Sequence, residues 1–251
     1  MVYNSNEIEI LREAGRNLSN ILKNVAQKAV SGVQTKDLDR YAKELIEKVG
    51  DKPAFLGYKP YGAKAAYPAS LCVSVNNEVV HGIPSERSLK DGDIVGLDLG
   101  LSHKGFFVDM AITVPVGNID SVAKKLIESA RAALDAGISS ARAGARIGDI
   151  GNAIEAYAKK TGFSVVDTLG GHGVGKNIHE DPYIPNVGRK NTGEKLESGQ
   201  VLALEPMLNE GGKEVNLEKD GYTFTTRDGK RSAHFEHTIL ITKDKAEILT
   251  E

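Results

Sequence analysis

The sequence predicts an α/β protein (of the α+β kind) built from two similar halves, with helices outside a curved, mostly antiparallel sheet. Three observations predict it. A ten-residue segment occurs twice: residues 89–98 read LKDGDIVGLD and residues 196–205 read LESGQVLALE, with leucine, glycine and a final acid in register. The helical stretches 35–50 (TKDLDRYAKELIEKVG) and 147–162 (IGDIGNAIEAYAKKTG) also match, with Asp37 and Asp149 each thirteen residues before a terminal glycine. The order within each half is two helices, then strands. One domain over 1–251, with half-repeats near 8–118 and 119–251, suits this length.

Each element has its own signal. Ile8, Leu11, Leu18, Ile21, Leu22 and Val25 recur at helical spacing within 8–30. A second helix is expected from Thr35, an N-cap residue type, to Val49, with Gly50 as its stop. Residues 52–68 hold Pro53, Gly57, Pro60, Gly62 and Pro68 and read as a loop over a surface or site. Leu71–Val80 alternates as a strand pair around Asn76-Asn77, and 94–101 and 106–114 read as a hairpin around 102–105. Helices follow at 122–136 and 147–160, the latter stopped by Gly162. Strands are expected at 164–168, 200–205, 222–226 and 234–242.

Composition narrows the function classes. A net charge of −2, with both signs interspersed, gives no electrostatic footprint for nucleic acid. The N-terminus MVYNSNEIEILREAG has no apolar signal region, and no apolar run approaches the ~20 residues of a membrane span. Cys72 is the only cysteine, so no internal disulfide can form. A cytoplasmic protein, without membrane or direct nucleic-acid contact and monomeric, is the expectation.

The repeated segment ends in Asp98 and Glu205, and a further acid follows each copy: Asp109 before MAITV and Glu236 before HTILIT. If the loop 102–105 closes a regular hairpin, Asp98 faces Asp109 directly, with Cβ atoms ~5 Å apart. Both acids sit among apolar neighbours (Leu97, Leu99, Val108, Met110), where like charges destabilise a sheet unless something neutralises them. A shared proton or a bulge could relieve one pair. Four such acids in two matching halves favour a divalent metal. Acids on helices, such as Glu128 and Glu155, read as solvated faces.

The stretch GGHGVGKNIHEDPYIPN (170–186) puts His172 in a glycine-rich loop, where small neighbours leave the imidazole room to approach a metal. His179 follows in H-E-D-P, and His81 stands in H-G-I-P, so H-x-x-P occurs once per half. His103 is expected exposed in a turn, and His234 and His237 are read as structural residues pointing away from Glu236. Gly170-x4-Gly175-Lys176 nearly matches a phosphate-binding loop, but Asn177 replaces the required Ser/Thr and Pro182 and Pro185 forbid a following helix.

These residues resemble the type I methionine aminopeptidases, over almost the whole chain. The family's signature looks like G-H-G-V-G-x-x-x-H-x4-I-x-N-V from Gly171 to Val187; VVHGIP (79–84), GLD (96–98), ALEPM (203–207) and FEHTILIT (235–242) are further blocks. The resemblance implies the pita-bread fold shared with creatinases and prolidases. It implies metal ligands Asp98, Asp109, His172, Glu205 and Glu236, with Asp109 and Glu236 bridging two divalent ions (Co, Mn, Fe or Zn). It also implies Glu205 as proton acceptor and donor, His179 as donor to the oxyanion, and His81 at the scissile amide. The substrates would be peptide and nascent-chain N-termini carrying methionine before a small residue, with ribosome docking left open.

Tyr67, Cys72 and Tyr222 look like substrate-pocket residues. Three positions depart from the family: Leu169, Ile178, where Phe is frequent, and Tyr222, near the usual Trp in a chain that has no Trp. Lys64 also lies in a loop expected near the site. The expectation is a reshaped pocket with a broader or weaker side-chain preference. A proline-specific peptidase of the same fold would use the same five ligands, but such proteins generally carry an extra N-terminal domain. A non-catalytic relative would usually have lost ligands.

Overall fold

Residues 1–251 are described here by a computed structural model. In chain order the elements are α1 (Ser5–Ala26), α2 (Thr35–Lys48), β1 (Lys52–Pro53), β2 (Leu71–Val75), β3 (Glu78–Val80), β4 (Ile94–His103), β5 (Phe106–Pro115), α3 (Ser121–Ser140) and α4 (Ile147–Thr161). There follow β6 (Ser164–Val165), β7 (Gly170–Gly173), β8 (Glu180–Pro185), β9 (Val201–Leu204), β10 (Met207–Asn209), β11 (Val215–Leu217), β12 (Phe224–Thr226), β13 (Ser232–His234), β14 (Glu236–Ile241) and β15 (Ala246–Ile248). A nine-stranded antiparallel sheet runs β1-β4-β5-β14-β9-β7-β8, with β2 added on β4 and β15 on β14. Two small sheets, β13-β10-β6 and β11-β12-β3, flank it.

Two apolar cores form, one mainly from each half, with Val174, Val201 and Leu240 of the second half joining the first. The apolar stripe of α1 (Leu11, Leu18, Leu22, Val25) and of α2 (Leu38, Ala42, Ile46) joins Leu71, Leu97 and Leu99 of β2 and β4. The stripes of α3 (Leu126, Ala130, Leu134) and α4 (Ile150, Ile154, Ala158) join Leu202, Leu204 and Ile239 of β9 and β14. The helix ends follow local chemistry. Asn4 and Glu7 form a reciprocal capping box on α1, Asp120 caps α3, and α4 stops at Gly162, which takes the left-handed φ of 86°. Thr35 is the first helical residue rather than the cap. Its hydroxyl is engaged instead with Ser85, donating to the carbonyl and accepting from the N–H.

The same backbone contacts recur in both halves. Gly32 N–H donates to Leu89 O, and Gly144 N–H to Leu196 O; Leu89 N–H donates to Val33 O, and Leu196 N–H to Ala145 O. The isolated bridge Gln34–Ser88 is matched by Arg146–Lys195. Between β5 and β14 the recurrence becomes a local twofold. Thr113 Oγ1 donates to His234 O (2.8 Å) and accepts from His234 N–H (2.9 Å). Thr238 Oγ1 does the same to Asp109 O (2.8 Å) and N–H (2.9 Å). The twofold that exchanges these clasps carries Asp98 to Glu205, Ala111 to Glu236 and Asp109 to His234. The sequence match of Asp109 with Glu236 as second acids is therefore two residues out of step with the backbone symmetry.

Several elements differ from the sequence expectation. The turn of the β4–β5 hairpin is the two-residue Lys104-Gly105, both at positive φ (49° and 82°), as a tight hairpin requires. It pairs His103 with Phe106, so Asp98 lies opposite Ala111 and Asp109 opposite Gly100. The register shift is even, so both acids stay on one face as diagonal neighbours. β2 and β3 do not pair with each other: β2 joins β4 and β3 joins β12, because the carbonyls of Asn76 and Asn77 accept from Ser232 and Thr226. The expected strand 234–242 breaks at Phe235, which lies against Pro206; proline has no N–H to continue the ladder. The expected strands 164–168 and 222–226 shorten to Ser164–Val165 and Phe224–Thr226. His103 is buried, its Nδ1 2.5 Å from Asp51 Oδ1 and its Nε2 3.2 Å from Glu13 Oε2.

Candidate metal centre

The site forms where register brings a row of side chains across the main sheet. Cys72 on β2 pairs with Asp98 on β4, Asp98 with Ala111 on β5, and Ala111 with Glu236 on β14. On β9, Leu204 pairs with His237, so Glu205 just past the strand end comes alongside Glu236. Asn186 Nδ2 donates to Glu205 O at 3.1 Å and steadies that turn. Ala111 is the small residue between two acids in this row and contributes only a buried methyl group there. His172 arrives from β7, paired with Ala203 on β9. The glycine run is thus a strand and not a loop: a Cβ at Gly171 would lie 2.1 Å from Ala203 O, and one at Gly173 2.3 Å from Asp181 O. That close packing, with no helix following, accounts for the glycines without any phosphate.

Three overlapping donor clusters result, each with its atoms within 4.8 Å: Asp98, Asp109 and Glu236; His172, Glu205 and Glu236; and Asp109, His172 and His179. Asp98, Asp109, His172 and Glu236 are buried. Burial, reinforced by the neighbouring acids, pushes the carboxyls of Asp98, Glu205 and Glu236 well above the ordinary range, and burial lifts Asp109 to about 7. Burial and the adjacent His179 lower His172 to about 3, and burial with the same neighbour lowers His81 to about 4. Asp98 Oδ1 and Glu236 Oε1 are buried with no hydrogen-bond partner. Orphaned carboxylate oxygens beside a neutral imidazole fit a divalent cation, which supplies the charge the acids need and the partner their oxygens lack. The oxygen-rich donor set suits hard or borderline ions.

A cavity of about 350 Å³ opens over these donors. Its apolar wall includes Phe55, Tyr58, Tyr67, Cys72, Tyr222 and Phe224. His81 and His179 line it as well; the His179 ring packs on Tyr58 at 5.0 Å, tilted by 42°, and His81 holds a left-handed φ of 59°. Tyr67 hydroxyl donates to Gly82 O (3.0 Å), and Tyr222 hydroxyl donates to Ala65 O (2.6 Å). The latter bond ties the 57–67 loop across the cavity. Lys64 is exposed and lines no part of it.

Every residue singled out for metal, catalysis or substrate thus lies around this one cavity. One expectation fails here: His234 is not turned away. It ends β13 two residues before Glu236 and, across the break at Phe235, still faces the site: its Nε2 is 3.5 Å from Glu205 Oε2. His237, one residue on, does turn away and meets Thr250. Sequence reasoning also passed over Ala111, Thr113, Thr238 and Asn186. The spacing of His234 could have flagged it; the other four acquire their roles only through cross-strand neighbours.

The model of metallopeptidase family M24 matches residues 9–243. A methionine aminopeptidase of Clostridium perfringens is 47 % identical over 247 residues, covering 98 % of this chain and 97 % of that protein. The crystal structure of methionine aminopeptidase from Rickettsia prowazekii superposes with a TM-score of 0.96 at 38 % identity, covering 100 % of this chain and 99 % of that one. A prolidase from Pyrococcus horikoshii, at 20 % identity and a TM-score of 0.77, shares the pita-bread fold. The chain belongs to metallopeptidase family M24, within its methionine aminopeptidases.

Proposed function

We propose that this chain removes the N-terminal methionine from nascent proteins and peptides whose second residue is small, as a dinuclear metallo-exopeptidase. The observation that carries the reading is the overlap of donor clusters: Asp109, His172 and Glu236 each belong to two of them, and the two carboxylates among these can each offer an oxygen to either side, on the floor of an apolar cavity. Asp98, Asp109 and Glu236 would hold one ion, and His172 and Glu205 with the shared acids a second. Bound there, divalent ions supply a water of lowered pKa and polarise the scissile carbonyl.

The side chains around them do the rest. Tyr67, Cys72 and Tyr222 enclose the methionine side chain and exclude water from it. Glu205 takes a proton from the attacking water and returns it to the leaving amine. His179 donates a hydrogen bond where negative charge builds on the carbonyl oxygen. His81 faces the scissile amide and is held in position by its turn. Burial keeps the His81 imidazole neutral at working pH, so it can donate or accept without first losing a proton. The chain acts in the cytoplasm as a monomer, and co-sedimentation tests docking on the ribosome.

The decisive experiment is methionine release from Met-Ala-Ser by chelated protein, with Mn²⁺, Co²⁺, Fe²⁺ or Zn²⁺ added back singly. Asp109→Ala and the peptide Ala-Pro-Ser serve as controls. Metal-dependent release that Asp109→Ala abolishes is expected. Cleavage of the proline peptide alone would transfer the protein to the sister activity, and no cleavage with any ion would overturn the enzymatic reading.

A further inference from the structure

His234 is the residue whose place in the fold the function has not absorbed. It is 3 % exposed, and its Nε2 is buried without a hydrogen-bond partner. Its backbone N–H and carbonyl are both held by Thr113 Oγ1, which fixes where the side chain leaves the sheet. The local twofold places it at the position that Asp109 occupies in the other half. There, Asp109 lies beside Asp98; here, His234 lies beside Glu205, the counterpart of Asp98. Its Nε2 is 3.5 Å from Glu205 Oε2, while Oε1 of the same carboxylate faces His172 Nε2 at 3.6 Å. The symmetry repeats the pairing, but the chemistry has changed from a second acid to a nitrogen.

His234 joins none of the three clusters whose donor atoms converge within 4.8 Å, so its nitrogen addresses Glu205 and not the cations. We propose that His234 is a positioning residue for Glu205: with a cation on the carboxylate, its otherwise unpartnered Nε2–H closes the 3.5 Å gap to donate to Oε2 and turns Oε1 toward His172 and the metal. A carboxylate left free to rotate about its terminal torsion would present either oxygen, or both, to the cation. The hydrogen bond selects one orientation and leaves Oε2 a fixed acceptor.

This inference rests on the metal-centre reading, and Mn²⁺ titration of chelated protein by calorimetry separates the two. Wild-type protein that fails to bind Mn²⁺ overturns the metal centre and this role with it. Given binding, His234→Leu is expected to weaken Mn²⁺ affinity about 10- to 100-fold, as loss of a ligand's hydrogen-bond partner does. His234→Gln, whose amide N–H can reach Oε2, is expected to stay within about threefold of wild type, since it restores that same partner. His234→Asn, polar but too short to reach, should behave like the leucine variant and replaces it if leucine does not fold. With Met-Ala-Ser, kcat should fall in the leucine and asparagine variants while KM changes little, because the substrate pocket is untouched. Leucine and asparagine variants that bind Mn²⁺ as wild type does would overturn the role. So would a folded glutamine variant as weak as leucine, since the nitrogen would then be needed as more than a donor.

Discussion

The two halves supply their acids to the same site by different means. In the first, Asp98 and Asp109 lie on a regular hairpin of two ten-residue strands, and register alone aims them. In the second, the matching strands are broken. Glu205 lies at the β9–β10 interruption before Pro206, and Glu236 starts β14 just after the Phe235 break. The first half ends its row with a small residue, Ala111, where the second has Glu236; the second has His234 where the first has Asp109. A duplicated backbone therefore does not carry a duplicated site. The twofold fixes where side chains stand, and substitution at related places turns two similar half-sites into one asymmetric centre with an acid-rich end and a nitrogen-bearing end.

The contrast between Ala111 and Glu236 can be broken most severely by adding bulk at the alanine. Ala111→Leu should weaken Mn²⁺ binding by ~100-fold or more, beyond what loss of a ligand's supporting contact produces. The overpacking itself costs about 1–3 kcal/mol. Calorimetric titration with a melt of the metal-free variant separates the two effects; unaltered Mn²⁺ affinity would refute the idea that cations sit over Ala111.

The histidines of the two H-x-x-P motifs sharpen the same comparison. His179→Ala should lower kcat by roughly 10²–10³-fold, the usual consequence of losing a donor to a developing oxyanion. Mn²⁺ affinity should change far less. His81→Ala, measured alongside, reports whether the first half's histidine has a matching role; a larger effect on KM than on kcat would assign it to substrate placement.

A third effect is readable in pH. Asp109, raised to about 7, and its raised neighbours hold protons in the metal-free fold that the unfolded chain has already released. That contribution to stability is complete below the ordinary carboxylate range and is lost as pH rises, for Asp109 through about 7 and for its neighbours well above their ordinary range. His81 and His172, lowered to about 4 and 3, act in the other sense, because the unfolded chain binds protons below ~6.5 that the fold refuses. Their contribution is lost as pH falls from there toward those values. Above ~6.5 only the carboxylates act. The Tm of metal-free protein should therefore drop between pH 6.5 and 8.5, and Mn²⁺ should remove the drop by replacing the protons. A metal-free Tm that rises over that interval would contradict this.

The smallest effect concerns the tie between the halves over the cavity. Tyr222, on the segment before β12, reaches back to Ala65 in the first half and packs edge-on against Tyr67 at 5.1 Å. Tyr222→Phe removes only the hydroxyl and one hydrogen bond of about 0.5–1.5 kcal/mol. A few-fold loss of preference for Met over Leu or norleucine at the first position is expected, read as the ratio of kcat/KM. An unchanged ratio would mean that the 57–67 loop holds its place without the tie.

Much of this was legible in the chain. The repeated segment announced two halves, apolar flanks marked Asp98, Asp109, Glu205 and Glu236 as buried acids, and the paired H-x-x-P motifs singled out His81 and His179. Helices were readable because each carries its own period and its own stop, as with Gly162. Register was not. The two-residue turn at Lys104-Gly105 changes every partner across β4 and β5, and nothing local in Asp98 reveals that Ala111 lies beside it. His103 was misplaced because the turn, not the ring, decides whether Asp51 and Glu13 surround it. The sequence by itself determined which groups carry charge, lone pairs and apolar area, since those are properties of single side chains and their near neighbours along the chain. Only the tertiary structure decided which of them meet. Cross-strand pairing joins residues far apart in sequence, and its outcome depends on turns, breaks and packing that act over the whole sheet at once.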